Sequence, residues 1–201
     1  MASTACTTLI DGPEGRVRVW PDAFGEAAAE WFTRLQEDVA WKAEWIRMFG
    51  KVHEVPRRVA WHGDADAAYR YAGVSHAPQP WIPVLQGIRE RTEAAAGEAF
   101  NSVLLNRYRT GRDHMGWHRD NEPELGPAPT IASVSLGAER RFDLRHTVTQ
   151  ERISCSLPSG SLLIMDGPLQ LHWKHRMPPV PRLEAERINL TFRRILNRSR
   201  S

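Results

Sequence analysis

Metal chemistry in this chain would start from His118-Arg119-Asp120. In an extended segment, residues two apart point the same way, so one imidazole and one carboxylate can reach an ion from a single strand end. A third ligand must come from elsewhere. His175 stands 55 residues beyond Asp120, and His172 competes with it. Two imidazoles and one carboxylate on one face of an ion leave three positions open. Non-haem Fe(II) oxygenases use such positions for a chelating cosubstrate and O2. One carboxylate against Fe2+ leaves a positive charge, which suits an anionic cosubstrate. A zinc hydrolase could use the same three ligands, and a bare His-x-Asp also arises as a surface salt bridge. His114 and His146 read as surface or strand-end histidines.

A second pattern is Arg187-Ile-Asn-Leu-Thr-Phe-Arg193. As a strand it places Ile188, Leu190 and Phe192 on one face and Arg187, Asn189, Thr191 and Arg193 on the other. A half-exposed strand would show such a polar face too. Two arginines with an amide and a hydroxyl, however, form a row of donors without a carboxylate. Guanidinium groups grip carboxylates bidentately, so the row suits a small dianionic acid. Asn106 and Tyr108, two apart in another strand pattern, could complete the pocket; Tyr108 could equally be a core aromatic.

These residues need a scaffold. From Asn101 onward, period-two alternation recurs over Ser102–Tyr108, Thr130–Leu136, Arg141–Arg145, Ile153–Leu157, Ser161–Met165 and Arg187–Ile195, separated by Gly, Pro or charged turns. Many short strands without intervening helices predict an antiparallel sandwich or barrel. Upstream, Val17 and Val19 predict a short strand. Asp22 could cap a helix carrying Phe24, Ala28, Trp31, Phe32, Leu35 and Val39 at helical spacing. A second helix is expected over Pro80–Ala96, with Trp81, Leu85, Ile88 and Ala95 inward. The expected fold class is α+β, with a jelly-roll core preferred among the sandwiches, which composition alone does not separate, and the N-terminal helices packed on one sheet. Residues 1–15 are expected to be loose and 16–196 to form one domain: a region of helices at about 40–100, a core at 101–196, and a basic tail at 197–201.

The 201 residues carry 27 Lys and Arg against 24 Asp and Glu, a net +3. The last ten residues hold four arginines and no acid, so the excess is local; it permits a polyanionic partner without requiring one. Two cysteines, Cys6 and Cys155, exclude a disulfide scaffold and a Cys-rich zinc module. Apolar runs such as Leu162–Met165 are far too short to span a bilayer. The N-terminus has no basic region followed by an apolar stretch, so secretion is not expected.

Together the segments NRYRTG (106–111), WHRDNE (117–122), IASVSLG (131–137), GSLLIM (160–165), HWKH (172–175) and RINLTFR (187–193) resemble the AlkB family of Fe(II)- and 2-oxoglutarate-dependent nucleic-acid dealkylases. MFGKVHEVPR (48–57), YRYAG (69–73) and PWIPVL (80–85) resemble its duplex-repairing branch, and the likeness covers roughly residues 45–196. It implies a double-stranded β-helix with a nucleotide-recognition hairpin region. It also implies iron bound by His118, Asp120 and His175, because His175 rather than His172 stands at the family's distance before the RxNxTxR strand. Arg187, helped by Tyr108 and Thr191, would hold the distal carboxylate of 2-oxoglutarate. Arg193 and Asn106 would lie near the chelating end, and Asn189 would support the pocket. Tyr69 and Tyr71 would line the damaged-base pocket, Phe49 would tip a hairpin entering the duplex, and Arg57 would contact DNA beside it. Asn121 departs from the family, where many members carry an acid that recognises the exocyclic amine of the base; Glu122 is retained. An uncharged amide attracts a cationic lesion less.

The implied activity is oxidative demethylation of bases such as 1-methyladenine or 3-methylcytosine in duplex or single-stranded DNA. Formaldehyde leaves, and 2-oxoglutarate and O2 become succinate and CO2. The same chemistry on RNA or a small molecule is the alternative. A monomer in the bacterial cytoplasm, or the nucleus of a eukaryote, is expected, with no membrane association.

Overall fold

The computed structural model describes residues 5–48, 50–67, 69–71, 74–76 and 78–196. For residues 46–48, 51, 69–71 and 74–76 it describes the backbone alone. The chain opens with a hairpin, β1 (Thr7–Gly12) and β2 (Gly15–Trp20), followed by α1 (Ala27–Asp38). Next come β3 (Lys42–Met48), β4 (Lys51–Gly63), β5 (Tyr69–Tyr71), β6 (Val74–His76) and α2 (Pro83–Ala96). The remainder runs β7 (Ser102–Tyr108), β8 (Met115–His118), β9 (Ile131–Gly137), β10 (Arg140–His146), β11 (Arg152–Leu157), β12 (Ser161–Asp166), a single turn α3 (Leu169–His172), β13 (Trp173–Met177) and β14 (Arg187–Arg193).

The strands make a large sheet in the order β1-β2-β12-β9-β14-β7-β4-β3 and a small one in the order β11-β10-β13-β8, with β5-β6 as a separate pair. Both main sheets are antiparallel throughout. One apolar cluster joins the helices to the outer face of the large sheet. It unites Phe24, Trp31 and Leu35 of the α1 region and Leu85 and Ile88 of α2 with Leu105, Val134, Ile188, Leu190 and Phe192. A second fills the space between the sheets with Val17, Ile131, Leu144, Leu163, Met165 and Trp173. β14 lies between β7 and β9, so both its edges are paired. Its apolar face meets the helices, and each fully buried side chain there contributes roughly 1.5–3 kcal/mol. Its polar face points into the sandwich, and Arg187, Asn189 and Thr191 are buried as well. Half-exposed amphipathicity is therefore ruled out for this strand.

Several expectations are corrected. Residues 7–12 are not loose: they form β1, held to β2 by backbone pairing from Thr7↔Val19 to Gly12↔Gly15. Asp22 accepts from the Gly25 N–H at 3.0 Å and so closes a turn, while α1 begins only at Ala27. α2 starts at Pro83, because proline suits the first helical position, where no N–H is needed, and Pro80 stays outside. It ends at Gly97, whose φ of +71° is left-handed and whose N–H bonds Glu93 O at 2.8 Å. Its inward residue near this end is Ala96 rather than the exposed Ala95.

Candidate metal centre and cosubstrate pocket

β8 and β13 are antiparallel neighbours with His118 paired to His175. The register sets the two imidazoles side by side, ring centroids 4.2 Å apart. The Phe142 ring, from β10, stacks on His175 at 5.5 Å and fixes its plane. His118 Nδ1 lies 2.9 Å from the Gly116 carbonyl, so Nδ1–H donates there and Nε2 is left as the ligand atom. Asp120 follows as β8 ends. Its backbone N–H donates to Gln170 Oε1 at 3.0 Å, tying it to α3, and its carboxylate receives Arg193 at 2.9 Å. One ligand atom from each of His118, Asp120 and His175 lies within 4.8 Å of the others.

The electrostatics prepare Asp120 and His175 for a cation. Burial alone would push the Asp120 carboxyl up, but Arg193 and the two imidazoles outweigh it and hold its pKa at about 2. Burial, reinforced by His118 and Arg193, drives His175 down to about 3, so its ring is neutral and its lone pair free at pH 7. Two imidazoles and one carboxylate on adjoining strand ends fit Fe(II) with three positions left for other ligands.

The same cavity is lined by Asn106, Tyr108, Arg187, Asn189, Thr191 and Arg193, so the structure brings the expected cosubstrate residues and the triad together. Arg187 is only 2% exposed. It donates to Ser135 Oγ at 2.8 Å, to Asn189 Oδ1 at 2.9 Å and to Met177 Sδ at 3.3 Å. Asn189 in turn donates to Thr191 Oγ1 at 3.0 Å. No carboxylate of the described residues pairs with Arg187, and burial, with Arg140 nearby, brings its pKa down to about 10. A buried cation with hydroxyl, amide and thioether neighbours is what a small dianion would neutralise. Tyr108 lies fully buried beside Arg187, guanidinium to ring centroid 5.5 Å, and burial pushes its phenol up.

The remaining expected residues stand apart. Arg57 donates through Nε to Asn106 Oδ1 at 2.7 Å, so that edge of its guanidinium serves the pocket wall rather than a phosphate. Asn121 is exposed and Glu122 half-buried. Tyr69 and Tyr71 lie on β5, where the backbone alone is described, and Phe49 lies outside the described residues. Met48 and Lys51, on β3 and β4, are paired with each other, and Gly50 has a left-handed φ of +78°. Sequence reading missed Ser133, Ser135, Met177, Phe142 and Gln170. The two serines did leave a signal, polar residues at period two in an otherwise apolar strand. Gln170 left none, because its role depends on where α3 docks.

Comparison with known proteins now decides the lineage. The 2OG-Fe(II) oxygenase superfamily matches residues 18–193. "DNA oxidative demethylase ALKBH2" of Mus musculus is 44% identical over 185 residues, covering 86% of this chain and 77% of the relative. The chain is an AlkB-family 2OG-Fe(II) oxygenase. The human ALKBH2 shares 43% identity, over 86% of this chain and 71% of the relative. "Alpha-ketoglutarate-dependent dioxygenase alkB homolog 3" of Rattus norvegicus shares 38%, over 90% and 64%. A solved structure, "The structure of OsALKBH1", superposes with TM-score 0.65 over 94% of this chain and all of that one; at 16% identity it speaks for the jelly-roll fold alone. This AlkB-family enzyme is thus an Fe(II)- and 2-oxoglutarate-dependent dioxygenase, and the triad and buried arginine are compatible with both cofactors.

Proposed function

We propose that this dioxygenase repairs DNA by oxidatively removing alkyl groups from bases of the 1-methyladenine and 3-methylcytosine type. The observation that carries the proposal is the placement of Arg187, a buried cation with no carboxylate partner among the described residues, in one cavity with His118, Asp120 and His175. A hydrolytic zinc site would have no use for that arginine. The choice of DNA rests on the ALKBH2 relatives, which are named DNA oxidative demethylases.

Iron held here would, with 2-oxoglutarate and O2, supply the oxidising power to hydroxylate the N-alkyl carbon, which would then be lost as formaldehyde. His118, Asp120 and His175 would hold that ion, and Arg193 keeps Asp120 anionic and oriented. Arg187 would bind the distal carboxylate of the cosubstrate, with Tyr108 and Thr191 beside it. Arg193 and Asn106 would flank the end nearer the metal. Asn189 orients Arg187 by accepting one of its N–H groups. The lesion would be flipped out of the stack, at a cost of a few kcal/mol. Tyr69 and Tyr71 would receive it by stacking, and Phe49 would fill the gap left in the duplex. Asn121 and Glu122, just beyond Asp120, would face the base edge.

Formaldehyde release is the test, using a 3-methylcytosine oligonucleotide as duplex DNA, single-stranded DNA and RNA. Turnover on DNA is expected only with both Fe(II) and 2-oxoglutarate. Turnover without 2-oxoglutarate would overturn the oxidative reading, and activity confined to RNA would overturn the choice of substrate.

A further inference from the structure

Arg140 takes no part in the metal triad or the proposed cosubstrate contacts, yet it is among the largest fully buried side chains. Burial lowers its pKa, as for any cation taken out of water. The Asp113 carboxylate does not pair with it, being gripped by Arg109, whose Nε and Nη2 donate to its two oxygens at 2.8 and 2.9 Å. Arg140 spends its hydrogen bonds on backbone instead. Its Nη2 donates to the Asp113 carbonyl at 3.0 Å and to the Pro178 carbonyl at 2.8 Å. Nε and Nη1 find no hydrogen-bond partner among the described residues, and the Tyr108 ring lies 5.9 Å from the guanidinium carbon.

The two carbonyls belong to segments that lead straight to the iron ligands. Asp113 stands two residues before β8, which ends at His118, and Pro178 directly follows β13, which carries His175. β8 is the edge strand of the small sheet, held to β13 through His175↔His118 and Met177↔Met115 with an irregularity between. On the other side of β13, the ladder with β10 stops at Asp143↔Arg176. Pro178 and Pro179 have no N–H with which to extend it. The Arg140 side chain bridges this gap: it leaves β10, crosses the end of β13 and reaches the approach to β8. Farther out the same two loops meet each other, Gly111 N–H to Leu183 O at 2.6 Å and Val180 N–H to Gly111 O at 2.7 Å. Arg140 therefore anchors a joined pair of loops to β10, the strand whose Phe142 stacks on His175.

We propose that Arg140 is a positioning residue for the metal centre: one of its nitrogens ties the ends of β8 and β13 to β10 and so holds His118 and His175 in register for the ion. The inference rests on the metal centre described above and requires nothing of the nucleic-acid substrate. Because a single nitrogen serves both carbonyls, a lysine ammonium, with three donors on one atom, can replace it. Methionine fills similar space and donates nothing.

The test is Fe(II) affinity of the full chain, measured by anaerobic equilibrium dialysis, with hydrogen exchange of residues 112–118 in the metal-free protein as a second readout. Arg140→Met should hold Fe(II) about tenfold more weakly, as loss of a group that orients ligands typically does. Its 112–118 segment should lose protection while β9 and β14 keep theirs. Arg140→Lys should restore both readouts to near wild type. Unchanged Fe(II) affinity in Arg140→Met, beside a wild type that binds the ion, would overturn the proposal alone. Equal losses in Arg140→Met and Arg140→Lys would overturn it too and make Arg140 a space-filling residue of the core. Should Arg140→Met not fold, Arg140→Lys decides: wild-type affinity supports the clip, and a tenfold loss refutes it. A wild type that binds no Fe(II) would overturn the metal centre and this inference with it.

Discussion

Arg187→Met separates the cost of a buried charge from its use. A guanidinium whose pKa is brought down to about 10 by burial is disfavoured by roughly 3 kcal/mol, at about 1.4 kcal/mol per factor of ten. The sign follows from the lowered folded-state value. At neutral pH the group is charged both folded and unfolded, so the whole cost is present, and it is relieved only as pH rises above about 10. Methionine removes that cost but strands the hydrogen-bond partners Ser135 and Asn189, at about 1 kcal/mol each. Without cosubstrate the variant should therefore melt close to wild type, within about 5 °C, given about 2–4 °C per kcal/mol for a chain of this size. Binding tells the opposite story. Loss of the fork that meets a desolvated carboxylate costs about 2–5 kcal/mol, roughly a 30- to 4000-fold rise in KM for 2-oxoglutarate. The assays are thermal melting with and without 2-oxoglutarate, and formaldehyde release at varied cosubstrate. An unchanged KM, or a variant that melts far below wild type without cosubstrate, would refute the reasoning and make Arg187 a structural residue.

Asp120→Ala should abolish formaldehyde release even with excess Fe(II), since it removes the only anionic ligand; wild-type yield would move the metal elsewhere. Gln170→Leu should weaken metal retention about 10- to 100-fold, as loss of a supporting contact typically does, with the circular dichroism spectrum kept; equal retention would mean that Asp120 holds itself. Phe49→Ala should slow duplex repair about 5- to 150-fold, for about 1–3 kcal/mol of stacking, and spare single strands; equal losses on both would place Phe49 in the fold or the base pocket. Burial and then Asp143 push the Cys155 thiol up to about 11. At pH 8 about one thiol in a thousand is therefore thiolate, and iodoacetamide should label the exposed Cys6 well before Cys155. Equal labelling rates in the folded protein would contradict this.

The strands that build the cosubstrate pocket were legible because their alternation is strict. β7 has the expected bounds, and β14 stops two residues early, at Arg193, because Arg194 turns out to solvent. The long β4 was not legible, since Pro56 inside it lacks a ladder N–H and argues against a strand. The structure resolves the conflict with a bulge. Ala43 pairs with Arg58 but Trp45 with Glu54, so Val55, Pro56 and Arg57 are accommodated opposite Glu44. The same irregularity accompanies the turn of Arg57 toward Asn106, which spacing alone could not foresee. β8 and β13 were hidden for another reason. They are four and five residues long, and their inward positions include the histidines themselves, so ligands stood where apolar residues would have marked a strand. The meeting of Glu14 with His146 and His172 was invisible for a third reason, because it comes about only through docking of the β1–β2 hairpin on α3.

The strand order also bears on how such an enzyme can evolve. β14, with the row of side chains proposed to hold the cosubstrate, is flanked on both sides, whereas β3 closes one edge of the sheet and β5-β6 stands outside it. Insertions, deletions or altered charge at that edge perturb few strand pairings, while any change in β14 disturbs two neighbours at once. Lineages can therefore vary by drift the rim that is proposed to meet the nucleic acid and keep the strand at the centre unchanged.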